Sequence, residues 1–245
     1  MRIAYLNLKS HPRGNHMLQA LCVTDYKPSL IIEEDSSLAA KSYKSLITEL
    51  KLVKEEPLPP TTQDIINTHK IECVTVNNHN DLETEKKLKE VKPDLIVLGD
   101  TRIIKPNLIK LAKKGVVNVH PGYLPDVRGN NPYIWSIIHD LPSGCSVHFI
   151  DESIDTGPLI LREKLNPEEY TSYPHYLIGI NKLCSEILVK AISGLIKNNL
   201  KAQSQATLKL ENKEFDTFSA ASAEVKNRVK DMFKNKYFTI KTEKL

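Results

Sequence analysis

The sequence has no uninterrupted apolar run of the roughly 18 residues that a membrane-spanning helix needs, so no membrane partner is expected. Cysteine is scarce. Cys22, Cys73, Cys145 and Cys184 lie far apart with no CxxC spacing. That pattern supports neither a zinc site nor a disulfide framework, and no metal is expected. Scattered free thiols fit a reducing cytoplasm, the expected location. An excess of charge of one sign is also missing. The formal net charge is +4, with the lysines spread over many helical patterns, so no nucleic-acid partner is expected. The first strand–helix junction, 9–19, contains a single glycine, Gly14, which rules out a G-x-G-x-x-G dinucleotide fingerprint. There is no internal repeat. The opening Met1-Arg2-Ile3-Ala4-Tyr5-Leu6 turns polar too soon for a signal peptide and reads as a first strand.

What is present is an ordinary globular composition, 40% hydrophobic and 26% charged over 245 residues, enough to bury one large core. Short apolar runs alternate with helical patterns. Strands are expected at 3–6, 30–32, 71–76, 95–98 and 116–120. Helices are expected near 15–22, 37–53, 64–68, 81–91 and 106–113. A helix through Trp135 and Ile138, strands at 145–150 and 159–165, and a long helix at 173–197 follow. This alternation predicts an α/β fold with a doubly wound, mostly parallel sheet. Residues 1–198 read as one catalytic unit and 199–245 as a C-terminal extension. The extension is polar and lysine-rich, with one amphipathic stretch at 220–233. Its 245 − 198 = 47 residues are too few for a domain of usual size. The expectation is that it packs on the core or in a homodimer interface, with covering of the site as a further option.

Candidate chemistry centres on Asn118-Val119-His120-Pro121-Gly122, which ends an apolar strand. In extended backbone, positions 118 and 120 share a face. Pro121 and Gly122 then turn the chain, presenting an amide and an imidazole at a strand tip, where open α/β sheets bind ligands. A histidine there can carry a proton, and an asparagine amide can donate to a developing oxyanion. The plainer reading is a strand-end histidine bonded to backbone. Asp155, in Ile154-Asp155-Thr156-Gly157-Pro158, lies 155 − 120 = 35 positions further on. It is either a turn aspartate bonding its own backbone or a carboxylate brought beside the imidazole. His148, between Val147 and Phe149, is either core packing or a support for the site. At the first junction, a helix amino terminus near Asn15 could hold an anion, with Arg13 adding a charge-assisted contact.

Three fragments together resemble a known family: Asn118-x-His120-Pro121-Gly122-x-Leu124-Pro125, Arg128-Gly129-x-x-Pro132, and Gly144-x-Ser146-Val147-His148-Phe149 with Asp155-x-Gly157. Their order and spacing resemble the formyltransferases that use 10-formyltetrahydrofolate, including the glycinamide ribonucleotide, methionyl-tRNA and sugar N-formyltransferases. The resemblance is strong over 93–165 and diffuse elsewhere. It implies a Rossmann-like core in which Asn118 and His120 stabilise an oxyanion. Asp155 would pair with the histidine and assist proton removal from an attacking amine. It implies a folate co-substrate against Leu98, Gly99, Asp100, Thr101, Arg102, Ile103 and Ile104, and against Ile150, Asp151 and Ile154, largely through main-chain groups.

The segment from Gly14 to Ala20 loosely resembles the phosphate loop of glycinamide ribonucleotide formyltransferase, with bulkier residues. The stretch Arg128-Gly129-x-x-Pro132-Tyr133-x-Trp135 resembles the sugar and tRNA branches more than the purine branch. The acceptor is therefore expected to be a small molecule, phosphorylated or nucleotide-linked, and first of all an amino sugar nucleotide. Arg13, Gly14, Asn15, Tyr123, Arg128, Asn130 and Tyr133 are its candidate contacts. Glycinamide ribonucleotide is the second option. Hydrolysis of 10-formyltetrahydrofolate is the third.

Overall fold

A computed structural model describes residues 1–208 and 217–235. In chain order its elements are β1 (Ile3–Leu8), α1 (Pro12–Cys22), β2 (Leu30–Glu34), α2 (Ser37–Leu50), α3 (Thr62–His69), β3 (Glu72–Val76), α4 (Leu82–Val91), β4 (Leu95–Leu98), α5 (Pro106–Ile109), β5 (Val116–His120), α6 (Pro132–Ile138), β6 (Gly144–Phe149), β7 (Leu159–Lys164), α7 (Tyr173–Ile196) and α8 (Ala223–Lys234). The seven strands form one sheet in the order β3-β2-β1-β4-β5-β6-β7. β1 to β5 are mutually parallel; β6 runs antiparallel to β5, and β7 to β6. The doubly wound, mostly parallel sheet expected from the sequence is therefore present.

Strands covered on both faces need apolar residues at successive positions, and β1 and β4 are buried throughout. Alternation divides their side chains. Ile3, Tyr5 and Val97 enter the larger core beneath α1 and α7, while Ala4, Leu6 and Leu98 enter the smaller one with Leu88 of α4 and Leu108 of α5. After β1 the chain winds outward through β2 and β3, then returns to the other side of β1 for β4 and β5. The reversal opens a crevice at the carboxyl ends of β1 and β4, the usual ligand position in such sheets.

Helix boundaries differ from expectation at several ends: α2 stops at Leu50 rather than 53 and α3 runs from Thr62 to His69 rather than 64–68, and at α1 and α5 the cause is plain. α1 starts at Pro12, because proline is favoured in a first turn and the His11 ring accepts the Gly14 N–H at 3.4 Å. α5 stops at Ile109, because Lys113 and Lys114 donate their N–H groups to Pro93 and Asp94 instead of continuing the helix. In the C-terminal segment, the amphipathic stretch forms α8, N-capped by Ser222. Its Val229 and Phe233 are buried in the larger core, with the Phe233 ring 5.3 Å from that of Tyr176. Gln203 pairs with Leu159 at the start of β7.

Candidate active site

The antiparallel β5–β6 ladder assembles the polar groups. Asn118 faces His148 and His120 faces Ser146 across it, while Val117 and Val119 point into the larger core. One face of two adjacent strands thus carries an amide, two imidazoles and a hydroxyl. Ser146 is fully buried and staples the turn after His120, donating to the Gly122 carbonyl at 2.8 Å and accepting the Leu124 N–H at 2.9 Å.

His120 is buried, with Nε2 2.8 Å from the Val127 carbonyl. A carbonyl only accepts, so Nε2 carries a hydrogen. Nδ1 is then the atom free to gain or lose a proton, and it faces Asp155 Oδ2 at 3.5 Å. The carboxylate and the imidazole are therefore neighbours, although one lies in the β6–β7 connection and the other ends β5. Asp155 sits in the left-handed region at φ 55°, unusual for a residue with a side chain. Its Oδ2 also accepts the Gly129 N–H at 2.9 Å, and its Oδ1 lies 3.7 Å from His148 Nε2.

His148 orients the amide. Its Nδ1 donates to the Phe149 carbonyl at 2.8 Å, so Nε2 presents a lone pair and accepts from Asn118 Nδ2 at 3.1 Å. Burial pushes the His148 pKa down to about 4, helped by the neighbouring His120, so the ring is neutral at pH 7. A neutral acceptor fixes which end of the Asn118 amide is nitrogen and leaves that nitrogen one further hydrogen to donate.

The aspartate loop is gripped from the C-terminal segment. Gln205, which sequence reasoning missed, is buried and donates to the Asp155 and Gly157 carbonyls at 2.9 and 2.8 Å. Its own oxygen accepts from Arg128 at 3.1 Å. Phe218 pairs by backbone with Gly129, and the Trp135 indole donates to the Ser219 carbonyl at 2.8 Å while stacking on the Phe218 ring. Gly129 has φ +92°, and a Cβ there would meet the Phe218 carbonyl oxygen at 2.2 Å. Only glycine fits, and this contact sets the N–H that holds Asp155.

The loop after β4 is anchored to the edge of the crevice. A Cβ on Gly99 would lie 2.4 Å from the Tyr5 hydroxyl, so the backbone approaches β1 closely. The Asp100 N–H bonds the Asn7 side chain at 3.1 Å. Arg102 makes a two-pronged contact with Glu34, whose oxygens also accept from Ser36 and from the His79 N–H. Burial raises the Glu34 carboxyl, but these donors outweigh it and hold it at about 2. Leu98 and Ile104 are buried, Thr101 and Ile150 half-buried, and Asp151 is occupied with the N–H of Ser153 and the hydroxyl of Thr156. Ile103 and Ile154 are the exposed apolar groups of the two loops, at 78% and 50% exposure.

A cavity of about 270 Å³ is lined by Pro121, which follows His120, and by Gly129, whose N–H holds Asp155; the trio of Asn118, His120 and Asp155 lies behind that wall and does not itself line the cavity. Of the expected acceptor contacts, Arg13, Asn130 and Tyr133 line it. The other four lie elsewhere. Gly14 is buried against Asn7. The Asn15 side chain is satisfied by Asn7, Thr62 and the Pro60 carbonyl. Tyr123 lies under the Arg162 guanidinium, 4.4 Å from its carbon, and Arg128 is engaged with Gln205. Arg13 pairs with Asp100, which also lies 3.5 Å from His11 Nδ1. Burial pushes the His11 pKa down to about 4.

An amide, an imidazole and a carboxylate gathered at the carboxyl ends of a doubly wound sheet are equipped for acid–base work at a carbonyl carbon. The chain belongs to the formyl transferase family, whose model matches residues 40–192. It is 30% identical over 128 residues to methionyl-tRNA formyltransferase of Clostridium tetani, covering 51% of this chain and 41% of that protein. It is 44% identical over 79 residues to GDP-perosamine N-formyltransferase of Brucella melitensis, covering 31% and 30%. These matches span less than half the length of either relative. The fold is similar to that of phosphoribosylglycinamide formyltransferase from Bacillus halodurans, with TM-score 0.61 and 20% identity over 81% of this chain and 97% of that one. It is also similar to the formyltransferase PseJ from Anoxybacillus kamchatkensis, solved with UDP-4,6-dideoxy-4-formamido-L-AltNAc and tetrahydrofolate, with TM-score 0.52 and 20% identity over 69% and 85% of the two chains. No helix among the described residues is long and apolar enough to cross a membrane.

Proposed function

We propose that the protein transfers a formyl group from 10-formyltetrahydrofolate to the amino group of a nucleotide-linked amino sugar. The observation that carries this reading is the pairing of His120 with Asp155, with Asn118 joined to them through His148, behind a cavity lined by the neighbouring Pro121 and Gly129. In the reaction the amine nitrogen bonds to the formyl carbon and the bond from that carbon to the donor nitrogen breaks. One proton leaves the amine, and one reaches the released donor nitrogen.

The remaining N–H of Asn118 donates to the negative charge developing on the formyl oxygen. Such a donor is worth on the order of 100- to 1000-fold in rate. His120 takes up a proton at Nδ1, since Nε2 is committed to Val127. Asp155, 3.5 Å away, stabilises the imidazolium that results. The donor when bound supplies the formyl group. One face of its flat pterin would rest on the exposed Ile103 and Ile154 of the two flanking loops, with the ring's polar edge left to main-chain groups.

The amino sugar is favoured by the 44% identity to a GDP-perosamine N-formyltransferase over 79 residues. Glycinamide ribonucleotide is the second reading, favoured by the 97% coverage of a phosphoribosylglycinamide formyltransferase. The four cysteines are unpaired, and we place the enzyme in the cytoplasm on that basis. The test is to follow tetrahydrofolate release from 10-formyltetrahydrofolate with each candidate amine. Release that requires an amino sugar nucleotide supports the reading. Release with glycinamide ribonucleotide alone reverses the order of the two acceptors, and release with water alone makes the protein a hydrolase.

A further inference from the structure

The wall of the cavity furthest in sequence from the trio comes from α2 and α8, which contribute Ser42, Ser45, Glu49, Lys226 and Lys230. None of these takes part in moving a proton. The charged side chains lining the cavity are Arg13, Lys226 and Lys230 against Asp100 and Glu49, so 3 − 2 leaves one cation in excess. Arg13 is paired with Asp100, and Lys230 with Glu49. The Lys226 side chain is half-buried and makes no ion pair or hydrogen bond among the described residues; only its backbone N–H is bonded, to the Ser222 carbonyl. His11 is neutral at pH 7 and adds no charge.

The amino terminus of α1, where an anion would otherwise settle, is closed. The His11 ring accepts the Gly14 N–H, and the Asn15 side chain is saturated by protein partners. The geometry points to Lys226 on α8 as the residue that binds a phosphate group of the acceptor, which makes the acceptor a phosphate ester or diphosphate ester carrying an amine. The hydroxyls of Ser42 and Ser45, on the facing helix, are further donors to such a group. At about 270 Å³ the cavity is at or below the small end of ligand pockets, roughly 300–1,000 Å³. It takes the amine-bearing ring and the first phosphate, and a nucleoside would project from the mouth. This inference rests on formyl transfer occurring in the same cleft.

The probes are inorganic pyrophosphate and inorganic phosphate, titrated calorimetrically into the 245-residue protein. Wild type should bind pyrophosphate, more weakly as salt rises. Lys226→Ala should lose about 10- to 100-fold in affinity, the range for one charge-assisted contact, and Lys226→Arg should keep most of it. Lys89→Ala, on exposed α4, should change nothing. Equal pyrophosphate binding by wild type and Lys226→Ala, or none by wild type, overturns the proposal.

The kinetic arm uses a GDP-linked amino sugar and glycinamide ribonucleotide, which distinguish a diphosphate from a monophosphate acceptor. Lys226→Ala should raise KM for the true acceptor about 10- to 100-fold with kcat within a few-fold. Tetrahydrofolate release with an unchanged KM removes the anion role from Lys226 and leaves formyl transfer standing. Loss of pyrophosphate binding in Lys226→Ala, with no release from wild type for any amine, removes formyl transfer and leaves the anion site.

Discussion

Replacing Gln205 by alanine tests whether the carboxylate is held in place from the C-terminal segment. Gln205 donates to two carbonyls of the aspartate loop and accepts from Arg128, all within 3.1 Å. Each neutral hydrogen bond contributes roughly 1 kcal/mol net, and each buried group left unsatisfied costs about 1–3 kcal/mol. Two orphaned carbonyls therefore put the loss of stability at roughly 2–6 kcal/mol, read as a shift in urea midpoint. The backbone of Asp155 offsets part of that loss. Its left-handed conformation, φ 55°, costs about 1–2 kcal/mol and relaxes once the clamp is gone. The carboxylate then drifts from His120, and kcat should fall at least about tenfold under conditions where the protein remains folded. KM for the acceptor should hardly move, because Gln205 does not line the cavity. A variant that is less stable but turns over at the wild-type rate would refute this reasoning and leave the Gly129 N–H as the sole support Asp155 needs.

Other expected outcomes follow from the same geometry. His120→Ala and Asp155→Asn should each lower turnover about 100-fold or more with an unchanged circular dichroism spectrum; a near-wild-type rate of tetrahydrofolate release removes that residue from the mechanism. His148→Phe should keep the protein folded but free the Asn118 amide to rotate, lowering kcat about tenfold or more, and an unchanged kcat denies His148 its orienting role. Gly129→Ala should both destabilise the fold and reduce activity, since its Cβ would meet the Phe218 backbone, and a fully stable, active variant contradicts that contact.

Acidification should destabilise the protein. His11 and His148 have folded pKa values lowered from 6.5 to about 4, so the unfolded chain binds more protons between those values and stability falls as pH drops from about 6.5 toward 4. At pH 4.5 each contributes a loss on the order of 2 kcal/mol. Glu34, held at about 2, extends the loss from about pH 4.5 downward. A urea midpoint that rises between pH 7 and pH 5 contradicts this.

Much of the framework was legible because the physics is local. Buried parallel strands need unbroken apolar runs, and 95–98 and 116–120 were found with their observed limits. Asn118 and His120 share a face because a strand repeats every two residues. The companion strand that sets His148 opposite Asn118 was visible only as a run, since register depends on pairing. Asp155 could not be placed beside His120 from residue types alone. What escaped altogether were Gln205, Phe218 and Lys226. They carry no motif and reach the site only because the chain returns to it after α7. Tyr123 was expected at the acceptor, but Arg162 and Lys164, nearly forty positions away in sequence, occupy its ring. Arg13 was expected to meet a ligand anion, and the structure shows it already neutralised by Asp100.

The grip of the segment after α7 on the Asp155 and Gly129 loops has a consequence for how the protein comes into being. The groups at the tips of the strands are synthesised early, but Gln205, the Phe218 backbone and Lys226 leave the ribosome only after all seven strands have done so. A nascent chain can fold its sheet and still lack a finished cleft. The cleft is thus completed only once residues 205–226 have been made.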